Sequence, residues 1–108
     1  MMKMLIELNS ELIENDGYSI EMMWAEIDKI FATSNCTKEA LSNGVIYSGD
    51  PNKKSHLADF FIPFSTLSSS EWFRKYALTW TLYDNDDDED LPYQEEDLLD
   101  LALKNVEI

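Results

Sequence analysis

Ala77-Leu78-Thr79-Trp80-Thr81-Leu82-Tyr83 is the stretch on which the fold turns. Leu78, Trp80 and Leu82 alternate with Ala77, Thr79, Thr81 and Tyr83, the two-residue period of a strand with one buried face. A rival reading runs one helix from Ser70 to Tyr83, with Trp72, Phe73, Tyr76 and Trp80 on one side. The two threonines are β-branched and favour the strand, so the domain contains a sheet.

Downstream, Asp84 to Asp100 reads DNDDDEDLPYQEEDLLD and holds ten of the 22 acidic residues, with no Lys, Arg or His between Tyr76 and Leu103 to offset them. The reading is an acidic loop over 84–92 followed by an acidic C-terminal helix over 93–105, with Leu98, Leu99, Ala102 and Val106 on one face. Glu95, Glu96, Asp97 and Asp100 then fall in its first two turns, near the positive end of the helix dipole, and Lys104 near the other end.

Upstream, Ser68-Ser69-Ser70 before Glu71-Trp72-Phe73 predicts a short helix start. Residues 57–64, LADFFIPF, are apolar on both faces and fit a buried strand or a helix; Pro63 counts against a helix interior and equally against a central strand, and the favoured reading is a strand ending near that proline. Residues 49–55 form a loop closed by His56, which has no partner at a ligand or base spacing. Val45 to Ser48 is a short strand of strong β formers behind the turn signal Ser42-Asn43-Gly44, and residues 37–41 read as a capped turn.

Nearer the N-terminus, Ser19 caps a helix over 20–34 whose stripe is Ile20, Met23, Trp24, Ile27, Ile30 and Phe31. Met22, Met23 and Trp24 are read as core, with a partner groove as the alternative. Residues 11–17 form a short helical turn stopped by Gly17, and residues 3–8, apolar on both sides of the pleat, form a strand away from the sheet edge.

The chain has 108 residues, 44% hydrophobic and 12% aromatic, enough to fold despite a net charge of −14. One cysteine, Cys36, excludes an internal disulfide framework. Glutamate at position 7 interrupts any signal-peptide core, so a cytoplasmic location is expected. A pI near 4.1 argues against direct binding to nucleic acid or an anionic membrane and for a basic protein partner. No glycine-rich phosphate loop or nucleophile–base pair is present, so catalysis and cofactors are not expected.

Two constellations remain. Asp84, Asp86, Asp88, Leu91 and Glu95 fall at positions 1, 3, 5, 8 and 12 of a loop whose spacing resembles the EF-hand, an alternative calcium site. Position 6, where that loop needs glycine, is Glu89. The other is a phosphate-like row of carboxylates. Helical spacing would set Glu95, Glu96, Asp97 and Asp100 roughly 5–6 Å apart.

In size, pI and combination of aromatic core with acidic face, the chain resembles small inhibitors of phages and toxin operons. These are the DNA-mimic anti-restriction and anti-CRISPR proteins, and the immunity proteins of nuclease toxins. The resemblance is one of class and carries no residue roles. It implies a protein that binds and blocks a nuclease or another basic, nucleic-acid-acting enzyme. The expected partner-binding residues are Tyr83, Asp86, Asp87, Asp88, Glu89, Asp90, Tyr93, Glu95, Glu96 and Asp100, the tyrosines as aromatic anchors. The alternatives are a calcium-binding module and a non-catalytic subunit of a larger assembly. The expected fold is a single α+β domain with about four mostly antiparallel strands packed on two main helices.

Overall fold

The core begins with the central strand β1 (Met2–Leu8), whose side chains alternate between buried Met4, Ile6 and Leu8 and half-buried Lys3, Leu5 and Glu7. The computed structural model describes residues 2–32, 34, 36–42, 44–49, 57–84, 92 and 94–106, with the backbone alone at 57–59 and 105–106. Around β1 lie β2 (Cys36–Ala40), β3 (Gly44–Gly49), β4 (Ala77–Asp84) and β5 (Gln94–Asp97) in the order β2-β3-β1-β4-β5, every pairing antiparallel. The helices are α1 (Ser10–Asn15), α2 (Ile20–Phe31), α3 (Leu57–Ser69), α4 (Glu71–Tyr76) and α5 (Leu98–Val106). The fold is a single α+β domain with five strands among the described residues, where the sequence suggested about four.

Register explains the core. Val45, Ile6 and Trp80 stand opposite one another across three strands, and the next row on the same face runs Lys38, Tyr47, Met4, Leu82 and Glu96 across all five. Apolar side chains occupy the middle of that row and charged ones its two edges, so the sheet interior is dry where helices cover it. Ile13, Ile27, Phe31, Phe60, Leu67, Phe73, Tyr76, Leu98 and Ala102 from the helices join this one cluster. The opposite face carries the row Glu39, Ile46, Leu5, Thr81 and Asp97.

Aromatic geometry ties helices to strands. Phe31 of α2 stacks on Tyr47 of β3 at 3.8 Å between ring centroids, and Trp80 of β4 meets the rings of Phe73 at 5.1 Å and Phe64 at 5.6 Å.

The caps act locally as the residues dictate. The Asn9 side chain accepts the Leu12 N–H, and α1 stops with Gly17 at φ 85 while the Tyr18 N–H reaches back to the Ile13 carbonyl. Ser19 caps α2 as expected, its hydroxyl accepting the Met22 N–H. Ser70 precedes α4 without a side-chain cap, because its hydroxyl donates to the Thr66 carbonyl at 2.7 Å.

Four expectations are corrected. Residues 57–64 belong to α3, not to a strand: Phe60, Pro63, Phe64 and Leu67 make one inward stripe at helical spacing, while Phe61 and Ile62 point outward. Pro63 lacks the N–H that a helix interior uses, and full burial of its ring in the core offsets that loss. Residues 37–41 are not a capped turn, because 36–40 pair with β3. Leu78 does not share the buried face of Trp80. A register shift opposite Glu7 and Leu8 makes it the extra residue of a β-bulge, and it is 59% exposed. The last helix starts at Leu98, after residues 94–97 have joined the sheet.

Candidate functional site

β5 is a four-residue edge strand of strand-averse residues, Gln94-Glu95-Glu96-Asp97, held by pairing with β4 rather than by propensity. All four side chains are exposed. Charged side chains on a short edge discourage unplanned strand pairing and display a row of carboxylates.

The register sets their directions. Glu95 stands opposite Tyr83 and Asp97 opposite Thr81 on the open face of the sheet, whereas Glu96 stands opposite Leu82 on the helix-covered face. Glu95 and Asp97, two residues apart, are separated by roughly 6.6–6.8 Å along the strand. The single helical row of Glu95, Glu96, Asp97 and Asp100 is therefore corrected: the strand divides it between two faces.

Asp97 serves the next element, its carboxylate accepting the Asp100 N–H at 3.0 Å where α5 begins. Asp100 is 2.9 Å from Lys104 one turn on, and that carboxylate raises the lysine's pKa. Glu95 and Glu96 make no ion pair among the described residues. Of the expected partner-binding residues, the structure thus brings Tyr83 and Glu95 together, sets Glu96 behind them and leaves Asp100 engaged with Lys104. Asp86, Asp87, Asp88, Glu89, Asp90 and Tyr93 lie outside the described residues.

The alternative calcium ligands Asp84 and Glu95 lie on paired strands, Asp84 opposite Gln94 and Glu95 opposite Tyr83, while Asp86 and Asp88 are outside the described residues. An EF-hand loop joins two helices; here the element entering the loop is β4, and Glu95 belongs to β5. Among the described residues no group of three or more His, Cys, Asp or Glu side chains could hold a metal ion. No described helix is long and apolar enough to cross a membrane.

Two polar clusters were not legible in the sequence, because their members come from separate elements. Asp28 of α2 accepts from the Tyr47 hydroxyl at 2.6 Å and from the Lys38 ammonium at 2.8 Å, clamping the helix to the β2–β3 hairpin. Burial pushes the Asp28 carboxyl up, but hydrogen bonds from Lys38 and Tyr47 outweigh it and hold the group below the usual carboxylate range. The Tyr47 phenol is pushed up by its burial and by the neighbouring carboxylate. Asp16 likewise accepts from the Tyr76 hydroxyl at 2.6 Å and from Lys75 at 3.0 Å, and these hydrogen bonds lower its pKa.

A depressed native pKa stabilises the fold above the unfolded value, near about 4, and that contribution disappears as pH falls through the lower native value. Asp28→Asn should therefore melt below the wild type by a constant interval above about pH 5, and the two melting curves should converge as the pH falls through the lowered native value. Circular dichroism melts across that range measure the interval; a gap that persists at the acid end would assign Asp28 a role independent of its charge.

Comparison with protein-family models, with curated proteins and with solved structures finds no match to this chain.

Proposed function

We propose that this protein is a non-catalytic acidic inhibitor that binds and blocks a basic, nucleic-acid-acting protein through the β5 edge and the acidic segment leading into it. The observation that carries this reading is the exposure of every side chain of Gln94–Asp97, with Glu95 and Glu96 unpaired among the described residues. Six acidic residues among the seven from Asp84 to Asp90 precede this edge in the sequence. An anionic block of this density costs stability through self-repulsion, which interspersed lysines would have avoided.

The mechanism is competition. Carboxylates on β5 and the acidic segment occupy the Lys and Arg side chains with which the partner would otherwise hold phosphates, and opposite charge speeds the encounter. Tyr83, half-buried beside Glu95, would supply an aromatic anchor at the margin.

The test is affinity capture from nuclease-treated lysate of the source organism, washed at low and high salt, followed by assay of the captured enzyme. One basic enzyme released as salt rises is the expected result. Glu95→Lys combined with Glu96→Lys should then weaken inhibition at least roughly tenfold, since like charges set against a basic surface cost several kcal/mol. Inhibition unchanged by that double reversal and by Asp87→Lys with Asp88→Lys, with circular dichroism intact, would sink the proposal. A salt-resistant partner would instead point to the exposed apolar side chains Phe61 and Ile62 of α3 and an assembly role.

A further inference from the structure

α2 and α4 flank an open trough of about 620 Å³, remote in sequence from the acidic edge and lined by Tyr18, Met22, Met23, Trp72 and Tyr76. Its volume is that of a ligand site rather than of a packing defect. Met22 is 71% exposed, and Tyr18, 58% exposed, stands edge-on to the core ring of Tyr76 at 6.1 Å between centroids. Met22 lies in the first turn of α2, where a polar residue would serve the helix as well or better. A flexible thioether beside aromatic rings is suited to receive another molecule's aliphatic side chains.

The walls select the sign of what enters. Glu26 and Glu71 both line the trough. Lys75 also lines it, but its ammonium is engaged 3.0 Å from Asp16 and lies 5.2 Å from the centre of the Tyr76 ring. The one cation of the lining is thus already matched by a carboxylate that lies outside it. Glu26 is shared with Lys29 at 3.2 Å, whereas Glu71 makes no ion pair among the described residues. With a net charge of −14 behind it, the site is complementary to a cationic occupant with apolar bulk.

We infer that the α2–α4 trough is a docking site for an amphipathic helical segment of a partner protein, whose aliphatic side chains seat on Met22, Met23 and Trp72 while flanking Lys or Arg residues meet Glu26 and Glu71. The mode is that of an amphipathic helix in a groove. It uses none of the residues of the β5 edge, so either site can stand without the other.

The probe is a synthetic helical peptide of about 14 residues, Leu along one face and Lys beside it, with an oligolysine of equal length as control. It is titrated onto the full chain carrying 13C-labelled methionine methyls. Saturable shifts of the Met22 and Met23 methyls are expected, with affinity falling roughly tenfold in Met22→Asp, the loss of one anchoring contact. Aspartate at that exposed first-turn position favours the helix, so the variant should keep its circular dichroism spectrum. Glu95→Lys with Glu96→Lys should leave the Met22 and Met23 shifts in place, which separates this site from the acidic edge. Equal shifts with oligolysine, shifts confined to Met2 and Met4, which line a different groove with Phe61 and Phe64, or affinity unchanged in Met22→Asp would each overturn the inference.

Discussion

Trp80→Ala is expected to lower the melting temperature by roughly 15–30 °C, from a loss of about 3–5 kcal/mol. A domain of this size has about 5–15 kcal/mol in all, so the variant should be partly unfolded near physiological temperature. Trp80 is fully buried on β4, pairs with Ile6 of the central strand and meets the rings of Phe64 and Phe73, so its removal opens a cavity that three elements share. Trp80→Phe separates volume from chemistry. The indole N–H is buried with no acceptor among the described residues, and phenylalanine removes that desolvation cost while keeping the ring contact. The phenylalanine variant should therefore lose less than about half of what alanine loses. Chemical denaturation of the three proteins decides the matter: equal losses for Phe and Ala would mean that an acceptor for the N–H, not cavity volume, governs this position.

Gly44→Ala is the second large effect, and its cause is steric. A Cβ at Gly44 would overlap the backbone carbonyl oxygen of Ile6 and lie 2.8 Å from Glu7 Cγ and 3.3 Å from Glu7 Cα. The obstacle is the central strand itself, where Glu7 pairs with Gly44, so relief requires β3 to draw away from β1. A loss of about 2–3 kcal/mol or more is expected, at the upper end for an inserted methyl because backbone rather than a side chain must yield. Urea denaturation measures it. A loss below about 0.5 kcal/mol, the scale of an ordinary surface substitution, would show that the β1–β3 pairing opens at this end without penalty. Gly17 is a different case: open space surrounds its Cβ position, and glycine is needed there for the positive φ that ends α1.

These two positions bracket what the sequence makes legible. Gly17 is readable because a helix stop is a local event, and the same holds for the Ser19 cap and the Ile20, Met23, Ile27, Phe31 stripe. Gly44 carries a turn signal in the sequence, but its closeness to Ile6 belongs to a pairing across some forty positions and leaves no trace in its neighbours. The run 57–64 misleads because it is apolar on both faces. The helical stripe Phe60, Pro63, Phe64 and Leu67 emerges only when the window extends past Pro63 to residue 67. Leu78 obeys the alternation of its stretch in sequence and departs from it in space, since a bulge is set by the partner strand.

The acidic site divides in the same way. Composition and order establish where the negative charge lies along the chain, how little basic charge accompanies it, and that Tyr83 and the carboxylates of 95–97 belong to one region, because charge is a property of the residues whatever their conformation. Which way those carboxylates face was decided by the sheet. Propensity favours a helix for Gln-Glu-Glu-Asp, but the open side of β4 offers backbone partners that no isolated segment has, and pairing with it turns one helical row into a strand with Glu95 and Asp97 on one face and Glu96 on the other. The trough between α2 and α4 has the same origin: Met22 and Trp72 lie fifty residues apart, and only the packing of both helices on one sheet face sets a thioether, an indole and two carboxylates around a common space.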